Sequence, residues 1–371
     1  MQRLQGRTIL LCAALCLFLG TSDGARPLPR EIIAGYTNQA NATTILSAVD
    51  NGLSVLIWSF IELQHGAVTA DPVQGGPSAN DVAAVMTGLD SRNLSQHVVH
   101  LISIGGWGAP HPTIELSGAE WWARWKTWNT AFGKSVVAAG GRSWTGFDGV
   151  DLDAEGADTP SSSDNHFPDK LIDLCGTFAQ AAKQDGYLSS MVPPQSYLDC
   201  GSPLYDAAGA VTHADLWKPS FTYHGQNTYA PLLAKYGDSY DLVIVQVYEG
   251  WSRAGYQVLN QSVNPTDYLT SLASCYTKGW QVDFGGALGI SPPKQTIQVS
   301  PEKLVIGLAN GWAAPPSALA LKMLYIDGDD AGKAFVASGG SKGMRGFAYW
   351  DIKDDAQKIG LVKKLAKYVH R

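Results

Sequence analysis

The sequence predicts an α/β fold, a single (β/α)8 TIM barrel, and three observations carry that reading. Eight short runs rich in Val, Ile, Leu and aromatic residues recur along the chain, most of them are followed by a segment of helical period, and the runs are close to continuously apolar. Strands that alternate with helices pair in parallel, and a strand covered on both faces loses its in-out alternation. Eight such units suit a closed barrel better than an open sheet. At 371 residues the chain has the length of one such barrel or of two to three smaller domains. No linker, internal repeat or low-complexity segment divides it, so one domain is expected.

In chain order the runs fall at 31–36, 54–60, 98–103, 146–153, 188–192, 241–248, 303–308 and 345–350. Helical spacing follows at 42–49, 79–89, 120–138, 167–184, 266–276, 317–324 and 356–370. The third of these helices carries Trp121, Trp122, Trp125 and Trp128. A stripe at helical period on an outer helix packs against the strands, and that is expected here in preference to a sugar platform. The stretch 193–240, rich in Gly, Ser, Pro, Tyr and Asp, has little regular pattern and is too long for an ordinary connection. Loops of that length in compact domains usually serve a site.

Arg3 and Arg7 precede an apolar run at 9–19, and Gly20-Thr-Ser-Asp-Gly24 supplies the small residues of a processing site. Residues 1–24 are therefore expected to be a secretory signal peptide, with the functional domain at 25–371. The run is too short to cross a bilayer, which takes about 20 apolar residues. No other stretch approaches that length, so no membrane span is expected in the mature chain and the protein is expected to be secreted. Cys12 and Cys16 leave with the leader, and Cys175, Cys200 and Cys275 then allow one bridge and one buried thiol, with the pairing open. Neither CxxC nor HExxH occurs, so no metal site or cofactor is expected. The sequons at Asn41, Asn93 and Asn260 suit a secreted glycoprotein. A net charge of -6, with no basic cluster longer than Lys363-Lys364, removes the electrostatic footprint that nucleic acid needs.

The fourth strand reads Gly146-Phe-Asp-Gly-Val-Asp-Leu-Asp-Ala-Glu155. Side chains alternate along a strand, so Asp151, Asp153 and Glu155 share one face while Val150, Leu152 and Ala154 share the other. The apolar set must meet the helices, which turns the acids into the barrel. Three carboxylates about 7 Å apart in a partly dry interior cannot all ionise cheaply, so at least one holds a proton near neutral pH. A general acid needs that property, and the carboxyl end of a barrel strand is where such enzymes carry their chemistry. Glu155, the outermost, is best placed to reach a substrate. Asp148, on the opposite parity, is expected to be structural. An EF-hand-type calcium loop is excluded because its ligand spacing is missing.

The stretch Asp148-Gly-Val-Asp-Leu-Asp-Ala-Glu155 resembles in full the D-x-x-D-x-D-x-E signature of family 18 glycoside hydrolases, the chitinases and related endo-β-N-acetylglucosaminidases. Ser103-Ile-Gly105-Gly106 is similar to that family's S-x-G-G element, Gln246-Val-Tyr248-Glu249 to its Q-x-Y-N or M-x-Y-D, and Trp350 to its closing Trp. The resemblance implies a retaining, substrate-assisted glycosidase acting on β-1,4-linked N-acetylglucosamine. Chitin or N-acetylglucosamine oligosaccharides are the implied partners, and a monomer is expected. Glu155 would be general acid and base, Asp153 and Tyr248 would hold the acetamido group, and Asp151 would share a proton with Asp153. Trp350 would floor the reacting subsite, Gly105 and Gly106 would admit a close sugar, and Gln246 and Tyr36 would bind substrate. Glu249 departs from the usual Asn or Asp. The stretch 311–343 is too short for the small inserted α+β domain that one branch of the family carries between its last two strands. The rivals are cleavage of the N-glycan chitobiose core and a non-catalytic chitin-binding lectin on the same fold.

Overall fold

The computed structural model describes residues 25–64, 73–157, 162–208, 226–250, 252–315, 323–354 and 359–370. Among the described residues eleven strands form in chain order: β1 (Ile32–Tyr36), β2 (Val55–Leu63), β3 (Val73–Gly75), β4 (Val99–Gly106), β5 (Gly149–Ala154), β6 (Leu188–Met191), β7 (Leu242–Gln246), β8 (Trp280–Asp283), β9 (Lys294–Ile297), β10 (Leu304–Ala309) and β11 (Gly346–Trp350). Eight of them pair in parallel in the order β1-β11-β10-β7-β6-β5-β4-β2, and β2 pairs back onto β1, which closes the barrel. β3 adds antiparallel to the end of β2. β8 and β9 form a separate hairpin before β10.

Strand parity splits the core into two layers. Ile32, Ala34 and Tyr36 of β1, Val55 and Ile57 of β2, and Ile244 of β7 fill the barrel interior. Ile33, Leu56, Trp58, Val150 and Leu152 point the other way, into the layer between strands and helices. Both layers are apolar, and so the strands read as continuous hydrophobic runs.

The helices Ala42–Asp50, Ala79–Asp90, Gly118–Ala138, Asp169–Gln184, Pro265–Lys278, Gly328–Ala337 and Leu361–Val369 cover the strands. Most begin on a side-chain cap: Asn41 accepts from Thr44 N, Ser78 from Asp81 N, and Ser117 with Glu120 forms a reciprocal capping box. Each such cap is worth about 1 kcal/mol. Trp121, Trp122 and Trp125 are buried, with Trp122 stacked on Trp125 at 4.7 Å and edge-on to Phe178 and Tyr187, so the tryptophan stripe packs inward.

Two helices differ from expectation. Of the expected 317–324 helix, residues 317–322 lie outside the described residues and Leu324 is buried in non-helical chain, while the helix before β11 is Gly328–Ala337. Its glycines argue against a helix by propensity. Packing explains them: a Cβ at Gly332 would sit 2.1 Å from the Tyr368 ring and one at Gly328 2.8 Å from Lys364 Cβ, so the small residues let this helix approach Leu361–Val369 closely. That last helix starts after Gly360, later than the expected residue 356, and 355–358 lie outside the described residues. The connection from β10 to β11 has this one long helix among the described residues, with no inserted α+β domain among them.

At the amino end of the strands Asp148 accepts from the Arg26 guanidinium and main chain at 2.9 Å and from His100 N at 2.7 Å, all buried. Asp148 is thus structural, seating the segment that leads into β1. Cys200 bonds to Cys275, and Cys175 is a buried thiol whose pKa is pushed up to about 12 by burial. No helix among the described residues is long and apolar enough to cross a membrane.

Candidate active site

β5 delivers its acids to the carboxyl end of the barrel, as parity requires. Asp151 is fully buried, and hydroxyls from three different strands donate to it: Tyr36 Oη at 3.0 Å and Ser103 Oγ at 2.8 Å to one oxygen, Ser190 Oγ to the other. Burial pushes its pKa up to about 6, and the three hydroxyls oppose that rise. Burial also pushes Asp153 well above the usual carboxylate range, and the neighbouring charges of Glu155 and Asp151 act the same way. Glu155 is raised by burial, against the pull of hydrogen bonds from Gln246 and Asp153.

Asp153 and Glu155 are thus neighbouring carboxyls, both raised by burial and both bound by one Gln246 amide. Asp151, with a hydroxyl donor on each oxygen, acts on Asp153 through its charge. Gln246 holds the pair from the side. Its Nε2 lies 3.1 Å from Asp153 Oδ1, 2.8 Å from Glu155 Oε1 and 3.0 Å from the Val192 carbonyl. Asp153, Glu155, Gln246 and Tyr248 all line a cavity of about 490 Å3. The Tyr248 phenol is kept neutral by burial and by the charges of Glu155 and Asp153.

Aromatic rings make the rest of the wall. Trp350 stacks on Phe60 at 5.4 Å and tilts against Tyr36 at 5.5 Å. Trp312 is edge-on to Tyr248 at 5.9 Å and donates from Nε1 to the Trp350 carbonyl at 2.6 Å. Trp107 stands 65% exposed at the rim. Glu249 also faces the cavity, where Ser196 N and Oγ donate to its two oxygens at 2.9 and 3.0 Å, and burial pushes its pKa up to about 8.

Three expected binding residues sit behind this surface. Tyr36 is 4% exposed and engaged with Asp151. Gly105 and Gly106 adopt positive φ, and a Cβ on them would meet the Asp153 carbonyl at 2.4 Å and the Phe60 ring at 2.9 Å. Their missing side chains make room for protein, contrary to the expected approach of sugar. Trp58, one of several aromatics near strand ends, is buried against His100. Tyr223 and Trp251, two further aromatics in the sequence near strand ends or in loops, lie outside the described residues. Phe60, Ser190 and Ser196 were not foreseen. Ser190 had a signal, since its parity on β6 turns it inward. Phe60 and Ser196 had none: Phe60 lies on β2 where the pairing register shifts between Trp58 and Ile61, so simple alternation does not place it, and Ser196 lies on the short helical turn Gln195–Tyr197 after β6.

A second cavity of about 460 Å3 opens at the amino end of β7 and β10, beside Asp238 and Lys303, and lacks converging acids. Among the described residues no cluster of His, Cys, Asp and Glu is arranged to hold a metal ion.

Residues 32–314 match the family model for glycosyl hydrolases family 18. The chain belongs to that family. No curated protein matches it significantly in sequence. Solved structures it is similar to include concanavalin B (13% identity, TM-score 0.48, covering 91% of this chain and 99% of that one) and the chitinase ChiC of Aspergillus fumigatus (14%, 0.48, 86% and 91%). A chitinase-like lectin of tamarind is a third (12%, 0.44, 90% and 99%). Likeness at this level says nothing of what this chain does.

Proposed function

We propose that the chain is a secreted glycoside hydrolase that cleaves β-1,4-linked N-acetylglucosamine polymers, a chitinase, by a retaining, substrate-assisted mechanism. The observation that carries this reading is the neighbouring Asp153 and Glu155 carboxyls lining a cavity with Trp350, Trp312 and Phe60, both bound by Gln246 and both raised by burial. A carboxyl kept protonated by burial and a like-charged neighbour is a general acid at working pH.

Glu155 gives its proton to the leaving oxygen as the bond from that oxygen to the anomeric carbon breaks. The substrate's acetamido oxygen forms a bond to the same carbon, and an oxazolinium ion results. Asp153 turns to the acetamido N–H and offsets the positive charge, while Tyr248 donates to the acetamido oxygen. Both interactions strengthen in the transition state. Glu155, now a carboxylate, takes a proton from water as the water oxygen attacks the anomeric carbon and the oxazolinium ring opens. Two inversions give net retention, and no enzyme carboxylate becomes covalently bound, the pattern of the substrate-assisted exceptions among glycosidases. Trp350 and Trp312 present indole faces to the apolar faces of pyranose rings. Removal of residues 1–24 and export complete the reading, and the exposed sequons at Asn41, Asn93 and Asn260 are its expected glycan sites.

Mass spectrometry of products from chitohexaose and from a high-mannose glycopeptide, side by side, tests it. Shorter N-acetylglucosamine oligomers from the first and none from the second are expected. A glycopeptide cut inside its chitobiose core would move the substrate to N-glycans, and binding of chitohexaose without turnover would make the chain a lectin.

A further inference from the structure

β5 ends at Ala154, so the main chain that carries Glu155 has left the barrel ladder. Side chains from distant loops take over. Tyr229 Oη donates to the Ala154 carbonyl at 2.7 Å, His111 Nε2 lies 2.9 Å from the Glu155 carbonyl, and Gly156 N donates to Tyr197 Oη at 3.3 Å. All three rings pack on one phenyl group, Phe167, with centroids at 4.7 Å for His111, 5.6 Å for Tyr197 and 6.0 Å for Tyr229. Phe167 is itself buried, and its N–H donates to the Ala207 carbonyl at 2.7 Å.

We propose that Phe167 is the hub of an aromatic clamp that positions the general acid, with His111 as its principal positioning residue. The inference rests on the reading of Glu155 as that acid. A carbonyl can only accept, so Nε2 of His111 carries the hydrogen. Burial lowers the His111 pKa, which keeps the ring neutral and puts no cation beside a carboxyl that must stay protonated. His111 is also the middle of a strap. Its carbonyl accepts from Gln64 Nε2 at 3.1 Å, Thr113 N donates to the Leu63 carbonyl at 3.1 Å, and Gly108 N donates to the Gly156 carbonyl at 3.1 Å. The loop bearing Trp107 is thereby tied at one end to β2 and at the other to the acid's own main chain. A catalytic group must be held within about 0.5 Å of its productive place, and a displacement of 1 Å costs about 10²-fold in rate.

His111→Leu removes the donor and keeps an apolar body against Phe167, and His111→Gln keeps an N–H donor. His111→Asn, too short to reach, replaces the leucine variant should that one fail to fold. Two substrates separate acid placement from general damage. A chitooligosaccharide has an alkoxide leaving group that needs protonation, whereas a 2,4-dinitrophenyl chitobioside has one that does not. For His111→Leu we expect kcat on the oligosaccharide to fall about 10- to 100-fold with KM within about threefold. First-turnover release of dinitrophenol should change less than about threefold, and His111→Gln should recover most of the loss. Equal losses on both substrates, a change in KM alone, or a glutamine variant as impaired as leucine would overturn the proposal. Should the wild type cleave neither substrate, the reading of the site fails, and the clamp is then judged by amide hydrogen exchange. Faster exchange at Gly108 and Gly156 in His111→Leu, with Leu152 unchanged, supports it, and unchanged exchange at all three rejects it.

Discussion

Glu155 and Glu249 are two carboxyls on one cavity wall, both raised by burial, and they call for opposite experiments. Glu155→Gln is isosteric but has no proton to give, so turnover should fall by about 10² to 10⁴ or more, since one residue serves both steps. Affinity for chitooligosaccharides, followed through the fluorescence of Trp107, Trp312 and Trp350, should persist. More than a tenth of the wild-type rate in that variant would remove Glu155 from its role. Glu249 bears on stability. Its folded pKa of about 8 stands above the usual 4.5, so the folded state binds its proton more tightly than the unfolded state. That stability is fully present below pH 4.5 and is lost as pH rises through 8. Each tenfold difference in proton affinity between the two states is worth about 1.4 kcal/mol, which makes a few kcal/mol in all. Glu249→Gln should therefore raise Tm relative to wild type at about pH 8.5 and leave it nearly unchanged at about pH 4.5, as read by thermal denaturation at the two pH values. An equal effect at both would mean that the glutamate does not titrate across this window. At this scale the acid row was legible because acids and apolar residues alternate strictly along one strand. Its partners were not, because Tyr36, Ser103 and Ser190 lie on three other strands and meet Asp151 only when the barrel closes.

Among the elements, the strands of the barrel were legible from apolar runs, and the hairpins were not. β3, β8 and β9 are three or four residues long; β8 alternates buried with exposed positions too briefly to stand out, and β9 buries only Ile297. The stretch 193–240 shows a deeper reason. In its described residues, 193–208 and 226–240, the order comes from contacts with the rest of the molecule, which no local period records: Ser196 reaches Glu249, Tyr197 and Tyr229 reach Phe167 and the main chain beside Glu155, and Cys200 is bonded to Cys275 in the helix Pro265–Lys278. Asp199 adds a buried carboxylate bound by Arg253 at 2.8 Å. The disulfide closes a loop of 75 residues, and a crosslink of that span is worth about 4 kcal/mol in the chain-entropy account. Cys200→Ala with Cys275→Ala should lower the unfolding free energy by about 2 to 5 kcal/mol, and kcat should fall with it, because the tether and the clamp around the acid belong to one segment. Denaturant melts and steady-state kinetics on the double variant check both. A lowered midpoint with unchanged kcat would separate the tether from the site.

Taken as a whole, the barrel divides its labour between its ends, as expected when stability is built at the amino face and chemistry at the carboxyl face. Arg26 and Asp148 neutralise each other at one end, where breaking a buried pair costs about 3 to 5 kcal/mol. At the other end Asp151, Asp153, Glu155 and Glu249 line up with Gln246 and neutral hydroxyls as their partners. Carboxyls so placed are held near neutrality by burial, and a neutral or half-neutral carboxyl is a poor nucleophile. On the proposed mechanism the attacking atom comes from the substrate, as its acetamido oxygen. Fully acetylated and fully deacetylated oligomers of equal length make the comparison. With glucosamine on the non-reducing side of the scissile bond, the site has no attacking oxygen, and Asp153 and Tyr248 lose their partner at about 1 to 3 kcal/mol for each polar group left unpaired. Cleavage of the deacetylated chain should drop below detection by product chromatography, and a thiazoline that mimics the cyclised intermediate should inhibit more tightly than the acetylated product binds. Comparable rates on the two oligomers, or a glycosyl adduct trapped on Asp151 or Asp153, would show that an enzyme carboxylate attacks. The raised pKa values at this end of the barrel would then serve some purpose other than proton donation.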